Sequence, residues 1–468
     1  MFLRHVTRPP SRLALWRPGR LALYVLTFLL FPAHSWAIEI AVPCARPSVF
    51  TDAAVNVVVM PYSVPPTLRS SSAVGAQLGG LVQLETVLSI AKYGSIGVTQ
   101  LVGDAEDECT PEIVLDKLLG KQGGARETMR PGSGLILIWG RIFESGADLY
   151  LQSFVQFLRP GTTETVDISV RDRTLKGTLS TQAFACAPRK IAIKDLEDIQ
   201  RQFRSARLLY TQPNSSSRSV QIPDRGESLA FWVTDLRGDW VQLEPMDRAT
   251  NRKFERGWLQ VRPTDAQWSL RAKMPELYFV EGVAGYLMAR VRANSQTIVD
   301  AALQGAESAM MRYIDSWGAN AVLGNDATTN GTPLAVAVPR QLRGFVALLR
   351  GRGTDAALAE ARTHFERAAA LASHSSDARN LVAITQVAQT FRQPAGGQSP
   401  RRFVDEVRTL LGSDPSNATV LANLGVIYDL VLTPAPGTPA SWQLSPAERD
   451  QLSKQRESLK SVIKRPAA

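Results

Sequence analysis

The chain has 468 residues, a formal charge of +10, three cysteines and four histidines, too long for one hydrophobic core and long enough for two to four domains. Arg4, Arg8, Arg12, Arg17 and Arg20 carry half of that charge with no Asp or Glu before residue 37, which leaves +5 for the rest. The remaining Lys and Arg are scattered without a basic arm or phosphate-binding face, which argues against a nucleic-acid partner.

The five arginines lead into the apolar run Leu21 to Phe31, then Pro32 and the small residues Ser35 and Ala37. This order is that of a bacterial-type signal peptide over residues 1–37, cleaved after Ala37, and it predicts a periplasmic protein. A spanning helix needs about 20 apolar residues, roughly twice this run, so an uncleaved inner-membrane anchor is the alternative. Cys44 follows Val42 and Pro43, not the small residues that precede a lipid-modified cysteine. In an oxidising compartment two of Cys44, Cys109 and Cys186 could pair, or all three could stay reduced and buried. If one bridge forms, Cys44 to Cys186 is the expected pair, because these residues bracket the first domain.

Residues 38–190 read as an α/β domain with a mixed sheet. Val55 to Tyr62 is a β-branched, apolar run ending at a proline, the pattern of a buried strand. Leu78 to Ile90 has helical spacing, Ile96 to Val102 is a second strand, and Pro111 to Leu119 is a short helix with proline in its first turn. Leu135 to Ile142 and Leu149 to Phe157 flank the polar Glu144 to Asp148 as a β-hairpin. A strand ending in Met60-Pro61-Tyr62, the second strand ending in Leu101-Val102 and the Trp139-Gly140-Arg141-Ile142 strand together resemble the TolB amino-terminal-like domain over Val55 to Arg159. That resemblance implies a non-catalytic domain of exported proteins, often found beside tetratricopeptide repeats.

Residues 191–217 read as a connecting helix followed by the polar linker Thr211 to Ser217. Residues 218–263 change to short strands, Ser228 to Val233, Gly238 to Leu243 and Gly257 to Val261. The Gly238-Asp239-Trp240 and Gly257-Trp258-Leu259 strands resemble the bacterial SH3-like domain, a small β-barrel, with Asp247 to Arg256 as a longer insertion. Trp232 is the candidate for a ligand groove, and Trp240 and Trp258 are expected in the barrel core.

From Pro275 the period is helical, giving an all-α region over 272–434 of three to four helix pairs. Ala361, Phe365 and Ala368 have the spacing of the second helix of a tetratricopeptide (TPR) repeat, and Asp414-Pro415 with Leu421, Leu424, Gly425 and Tyr428 has that of its turn and first helix. Gly425 is expected where two helices approach most closely, facing the helix that holds Phe403 and Val407. The tail 435–468 opens a last helix with the capping box Ser445-Pro446-Ala447-Glu448.

Chemistry-bearing motifs are scarce. His364 and His374, the only histidines after residue 37, have structural or surface explanations, and no Cys-x-x-Cys, Gly-x-Ser-x-Gly or phosphate-cradling loop occurs. The acidic run Asp104, Glu106, Asp107 and Glu108 lacks the glycine and distal glutamate of a calcium loop and reads as a solvated segment. No metal or cofactor is expected. The resemblances imply a non-enzymatic periplasmic adaptor binding protein or peptide partners through a TPR-like surface and an SH3-like barrel. A peptidoglycan-binding module is the alternative, and a hydrolase using acidic residues has no motif behind it.

Overall fold

The computed structural model describes residues 50–463, apart from 51, 66, 69–72, 94–95, 101–109, 120–128, 130–132, 160–162, 180–181, 206–207, 223–228, 248–251, 261–273, 292–294, 319–333, 394–398 and 435–437. The expected signal peptide, Cys44, Cys109 and the acidic run from Asp104 to Glu108 lie outside the described residues.

The apolar run at Val55 forms strand β1 (Val55–Ser63), buried for nearly its whole length. Val55, Val57 and Val59 face helix α1 (Ala73–Ile90), whereas Val58 and Met60 pack with Val114 and Leu118 of α2 (Pro111–Leu119). A strand covered on both faces has no polar side to show, hence the absence of alternation in its sequence. β1 pairs in parallel with β2 (Ile96–Gln100) on one edge and β3 (Gly134–Ser145) on the other. β3 returns through Gly146, at φ 63°, into β4 (Asp148–Leu158) as the expected hairpin. Together α1 and the turn after it, Val74–Tyr93, are long and apolar enough to cross a membrane, yet most of this stretch is buried inside the fold. A helix apolar on all sides needs cover on all sides, and the sheet, α3 (Ile193–Ser205) and α4 (Glu276–Val291) supply it.

Further along are β5 (Thr165–Val170), β6 (Arg173–Thr178), β7 (Phe184–Ala185), β8 (Arg189–Ile191), β9 (Leu208–Tyr210), β10 (Ser219–Gln221), β11 (Leu229–Arg237), β12 (Trp240–Asp247), β13 (Arg252–Lys253) and β14 (Gly257–Gln260). Here the expected separate SH3-like barrel is corrected. β11 pairs antiparallel with β2, setting Phe231 opposite Val98 and Trp232 opposite Gly97. The mixed sheet therefore runs β10-β9-β14-β12-β11-β2-β1-β3-β4-β7, with β13 beside β12 and β8 beside β4. The physical reason is the edge of β2, whose outward N–H and C=O groups would otherwise lack a ladder partner. Thr211 to Ser217, expected as a linker, closes the β9–β10 hairpin: the Thr211 N–H donates to the Arg218 carbonyl at 2.9 Å.

The carboxy-terminal region is all helical: α4, α5 (Gln296–Gly318), α6 (Leu334–Arg350), α7 (Asp355–Leu371), α8 (Ser376–Arg392), α9 (Arg401–Ser413), α10 (Ala418–Leu432) and α11 (Pro446–Ile463). Caps fix their starts. Thr354 Oγ1 accepts from the Ala357 N–H, Ser375 Oγ from Ala378, and Asn417 Oδ1 from Val420. Ser445 and Glu448 form the expected reciprocal box, at 3.2 and 2.9 Å. The row α4, α6, α8 and α10 lies against the sheet and the β5–β6 hairpin, and one hydrophobic core runs from Ala54 to Leu452 through both regions.

Ala361, Phe365 and Ala368 are fully buried, and Phe365 meets Phe345 edge to face at 6.0 Å. Leu424 and Tyr428 are buried, Leu421 is half-buried and Pro415 is exposed in the turn before α10. Gly425 is not a point of close approach. A Cβ there would meet only Leu459 Cδ2, at 3.9 Å, so the residue faces α11 rather than Phe403 and Val407 of α9. The close approach is at Gly344 on α6, where a Cβ would overlap the Phe365 ring.

Candidate functional site

The sequence from Thr165 to Val170 alternates strictly, with Val166, Ile168 and Val170 buried and Asp167 and Ser169 exposed. β5 and β6 form a two-stranded sheet of their own, packed against α8 and α10. Its turn is Arg171-Asp172, and Arg171 sits at φ 55°, a left-handed conformation uncommon outside glycine. Such a backbone persists where its surroundings hold it. The Arg171 guanidinium donates to the Thr433 carbonyl at 3.1 Å and lies 5.2 Å over the Phe391 ring, while burial lowers its pKa.

In an antiparallel hairpin closed by a two-residue turn, bonded and non-bonded pairs alternate from the turn. Val170 and Arg173 close the turn, so Lys176 and Asp167, paired three steps back, turn their backbone groups outward. Lys176 uses its groups on the helices. Its N–H donates to Asn423 Oδ1 at 2.8 Å, and its carbonyl accepts from Asn423 Nδ2 at 2.7 Å and Asn380 Nδ2 at 3.2 Å. Asn423 Nδ2 also reaches Asn380 Oδ1 at 3.1 Å, and both asparagines are buried. Beside them Thr178 and Thr419 share a hydroxyl bond of 3.1 Å, and Gly177 lets the strand approach Leu381 more closely than a Cβ would permit. On the opposite edge Arg392 Nη2 donates to the Ser169 carbonyl at 2.6 Å. At the hairpin base the fully buried Glu164 accepts from Tyr286 and Arg159. The inner helices thus hold an extended chain by the backbone of Lys176 as well as by the fit at Gly177 and Thr178.

The tryptophans lie elsewhere. Register puts Trp232 opposite Glu244, Trp240 opposite Gln260 and Trp258 opposite Gln242 and Tyr210, so all three share the sheet face opposite to buried Phe231, Val241 and Leu243. Trp258 is buried under the Arg237 guanidinium, and half-buried Trp240 meets Tyr210 edge to face at 5.5 Å. Half-buried Trp232, the groove candidate, packs on Phe50 with ring centroids 5.1 Å apart. Glu244 on that face binds Lys253 and Arg256, which hold its carboxyl below the usual range.

No family model, no curated protein and no solved structure matches this chain. Any functional reading therefore rests on its own residues.

Cys186 is a free, buried thiol between sheet and helices, 3.6 Å from the Tyr313 hydroxyl. Burial and the nearby Glu276 raise its pKa, which disfavours the nucleophilic thiolate. Glu276 is itself buried, and desolvation raises its pKa despite a bond from Ser153, whose hydroxyl also meets Tyr62 at 3.2 Å. Asp377 and Asp414 line an open cleft of about 680 Å³ with His374. Both carboxylates accept from Asn417 Nδ2, and Asp414 also accepts from Ser376 at 2.7 Å, so they serve the helix caps. Among the described residues no three of His, Cys, Asp and Glu converge as a metal set. The asparagine pair and the β5–β6 hairpin were missed by sequence reasoning. Their signal was the alternation at Val166, Ile168 and Val170, and the two asparagines on successive inner helices.

Proposed function

We propose that this chain is a non-enzymatic periplasmic scaffold or adaptor, exported by its amino-terminal segment, that binds protein or peptide partners. The observation that carries the reading is the grip of Asn423 and Asn380 on Lys176. Backbone N–H and C=O groups are common to all polypeptides, so a fold that grips them holds extended chain whatever its sequence. Helical repeats also present large surfaces whose shape is fixed by neighbour-to-neighbour packing. In this fold the inner row α4, α6, α8 and α10 is committed to the protein's own sheet and hairpin. Partners then meet the surfaces around that hairpin.

The test uses the full chain, tagged at its carboxy terminus, as bait in periplasmic extract. The expected outcome is retention of discrete proteins that excess untagged chain competes away. Retention of cell-wall fragments with no protein would overturn the reading in favour of a peptidoglycan module.

A further inference from the structure

We propose that the outer edge of β5 is a docking site for an extended acidic peptide segment, which adds to the β5–β6 hairpin as a third strand. The inference rests on the binding role above and names the chemistry of the partner. β6 occupies one edge of β5, and no strand among the described residues occupies the other. By the register that turns Lys176 outward, Thr165, Asp167 and Ser169 direct their N–H and C=O groups to this open edge. The Ser169 carbonyl confirms the direction, since Arg392 reaches it from outside the hairpin. No described residue bonds the backbone groups of Thr165 and Asp167 on that side. With the Ser169 carbonyl taken by Arg392, the stretch of edge at Thr165 and Asp167 is a template for another strand.

The edge is also accessible and shaped. A cleft of about 340 Å³ is lined by Thr165 to Ser169 and by half-buried Leu349, with the core residues Leu348 and Leu358 beneath. Three arginines line it, Arg290, Arg352 and Arg392. Arg290 lies 3.6 Å from Glu164, which Arg159 also binds, and Arg392 lies 3.4 Å from Asp355. Asp167 stands directly across from Lys176 on the exposed face. Arg352 is exposed, at φ 48°, and pairs with no described carboxylate. Three arginines and a single carboxylate, Asp167, line the cleft, and this surplus selects an acidic ligand. Alternation along a bound strand would set every second residue toward the leucines and the residues between them toward the arginines.

Asp167 offers a clean probe. Its N–H points away from β6, so Asp167→Pro removes the outward donor while leaving the hairpin ladder intact. The experiment measures fluorescence anisotropy of labelled eight-residue peptides with the purified full chain. One peptide alternates valine and glutamate, a second alternates valine and lysine, and a third is the glutamate peptide with alternate amides N-methylated. The expected result is saturable binding of the glutamate peptide alone. Its affinity should fall at least about tenfold with Asp167→Pro, with Arg352→Glu and on raising salt from about 0.05 to 0.5 M. The N-methylated peptide keeps the test valid if Asp167→Pro fails to fold. No binding of the glutamate peptide at about 1 mM, or equal binding of the lysine or N-methylated peptide, overturns the proposal. Proteins captured from extract equally by wild type and by both variants would overturn the edge site and leave the binding role standing. A chain that captures nothing and binds no peptide removes both.

Discussion

Gly344 packs so closely on Phe365 that a Cβ on the glycine would overlap the ring edge at Cε1, Cζ and Cδ1. Phe365 cannot yield, being fully buried and held edge to face by Phe345 at 6.0 Å. Gly344→Ala should therefore destabilise the protein by about 1–3 kcal/mol, the usual cost of overpacking. At Gly425 the same change meets only Leu459 Cδ2 at 3.9 Å and should be neutral or stabilising by up to about 1 kcal/mol. Urea unfolding of the two variants checks the contrast, and equal effects would show that the α6–α7 contact is not the tight one.

Among the described residues, Asn423 is the one side chain that satisfies both outward backbone groups of Lys176. Asn423→Ala should cost about 1–3 kcal/mol, because it leaves the part-buried Lys176 N–H and carbonyl without this partner. Hydrogen exchange at the Lys176 amide should accelerate in Asn423→Ala and much less in Asn380→Ala, since Asn380 reaches only the carbonyl. Unchanged exchange in both variants would mean that the hairpin is held by packing alone.

His364 is buried, and its pKa is lowered to about 4 by desolvation first and by Arg343 next, with Arg340 and Arg367 adding and Glu307 opposing. Unfolded, a histidine titrates near 6.5. Between these values the unfolded chain binds a proton that the folded chain does not, so stability falls as pH drops from about 6.5 to about 4. Solvent screening of the ring, which is not fully buried, keeps the loss below about 3 kcal/mol, and it is complete below the folded pKa. His364→Asn should flatten that part of the curve of unfolding midpoint against pH. A curve identical to wild type would assign the acid sensitivity to other groups.

Cys186, buried and raised by Glu276, should not react with a disulfide reagent in the native protein at pH 8 and should react on unfolding. Cys44, the partner expected for it, lies outside the described residues, and within them Cys186 is a free thiol beside Tyr313. Non-reducing peptide mapping decides: a Cys44–Cys186 peptide would contradict this packing.

Strands β1, β3 and β4 and the helix pairs were legible because each is set by local periodicity, as the capping box of Ser445 and Glu448 is by local bonding. The partner of an edge is a different kind of fact. Nothing near Trp232 in the chain says that its strand will lie against Gly97, so residues 218–263 read as a separate barrel. The β5–β6 hairpin was hidden by its turn. Arg171-Asp172 has neither the Asn nor the Gly that marks a two-residue hairpin, because contacts to Thr433 and Phe391 hold its backbone. At Gly425 the repeat pattern identified a helix correctly but not its neighbour, which comes from the region read as a tail.

Lys176 and Asn423 are separated by 247 positions, a distance that also orders events in time. During synthesis the hairpin emerges long before the helix that grips it, and loop closure over such a span is slow. Until α8 and α10 arrive, the edges of the hairpin are open and its apolar face lacks cover. Expressed in pieces, the amino-terminal half keeps an uncovered strand pair indefinitely, and aggregation is the expected fate of such edges.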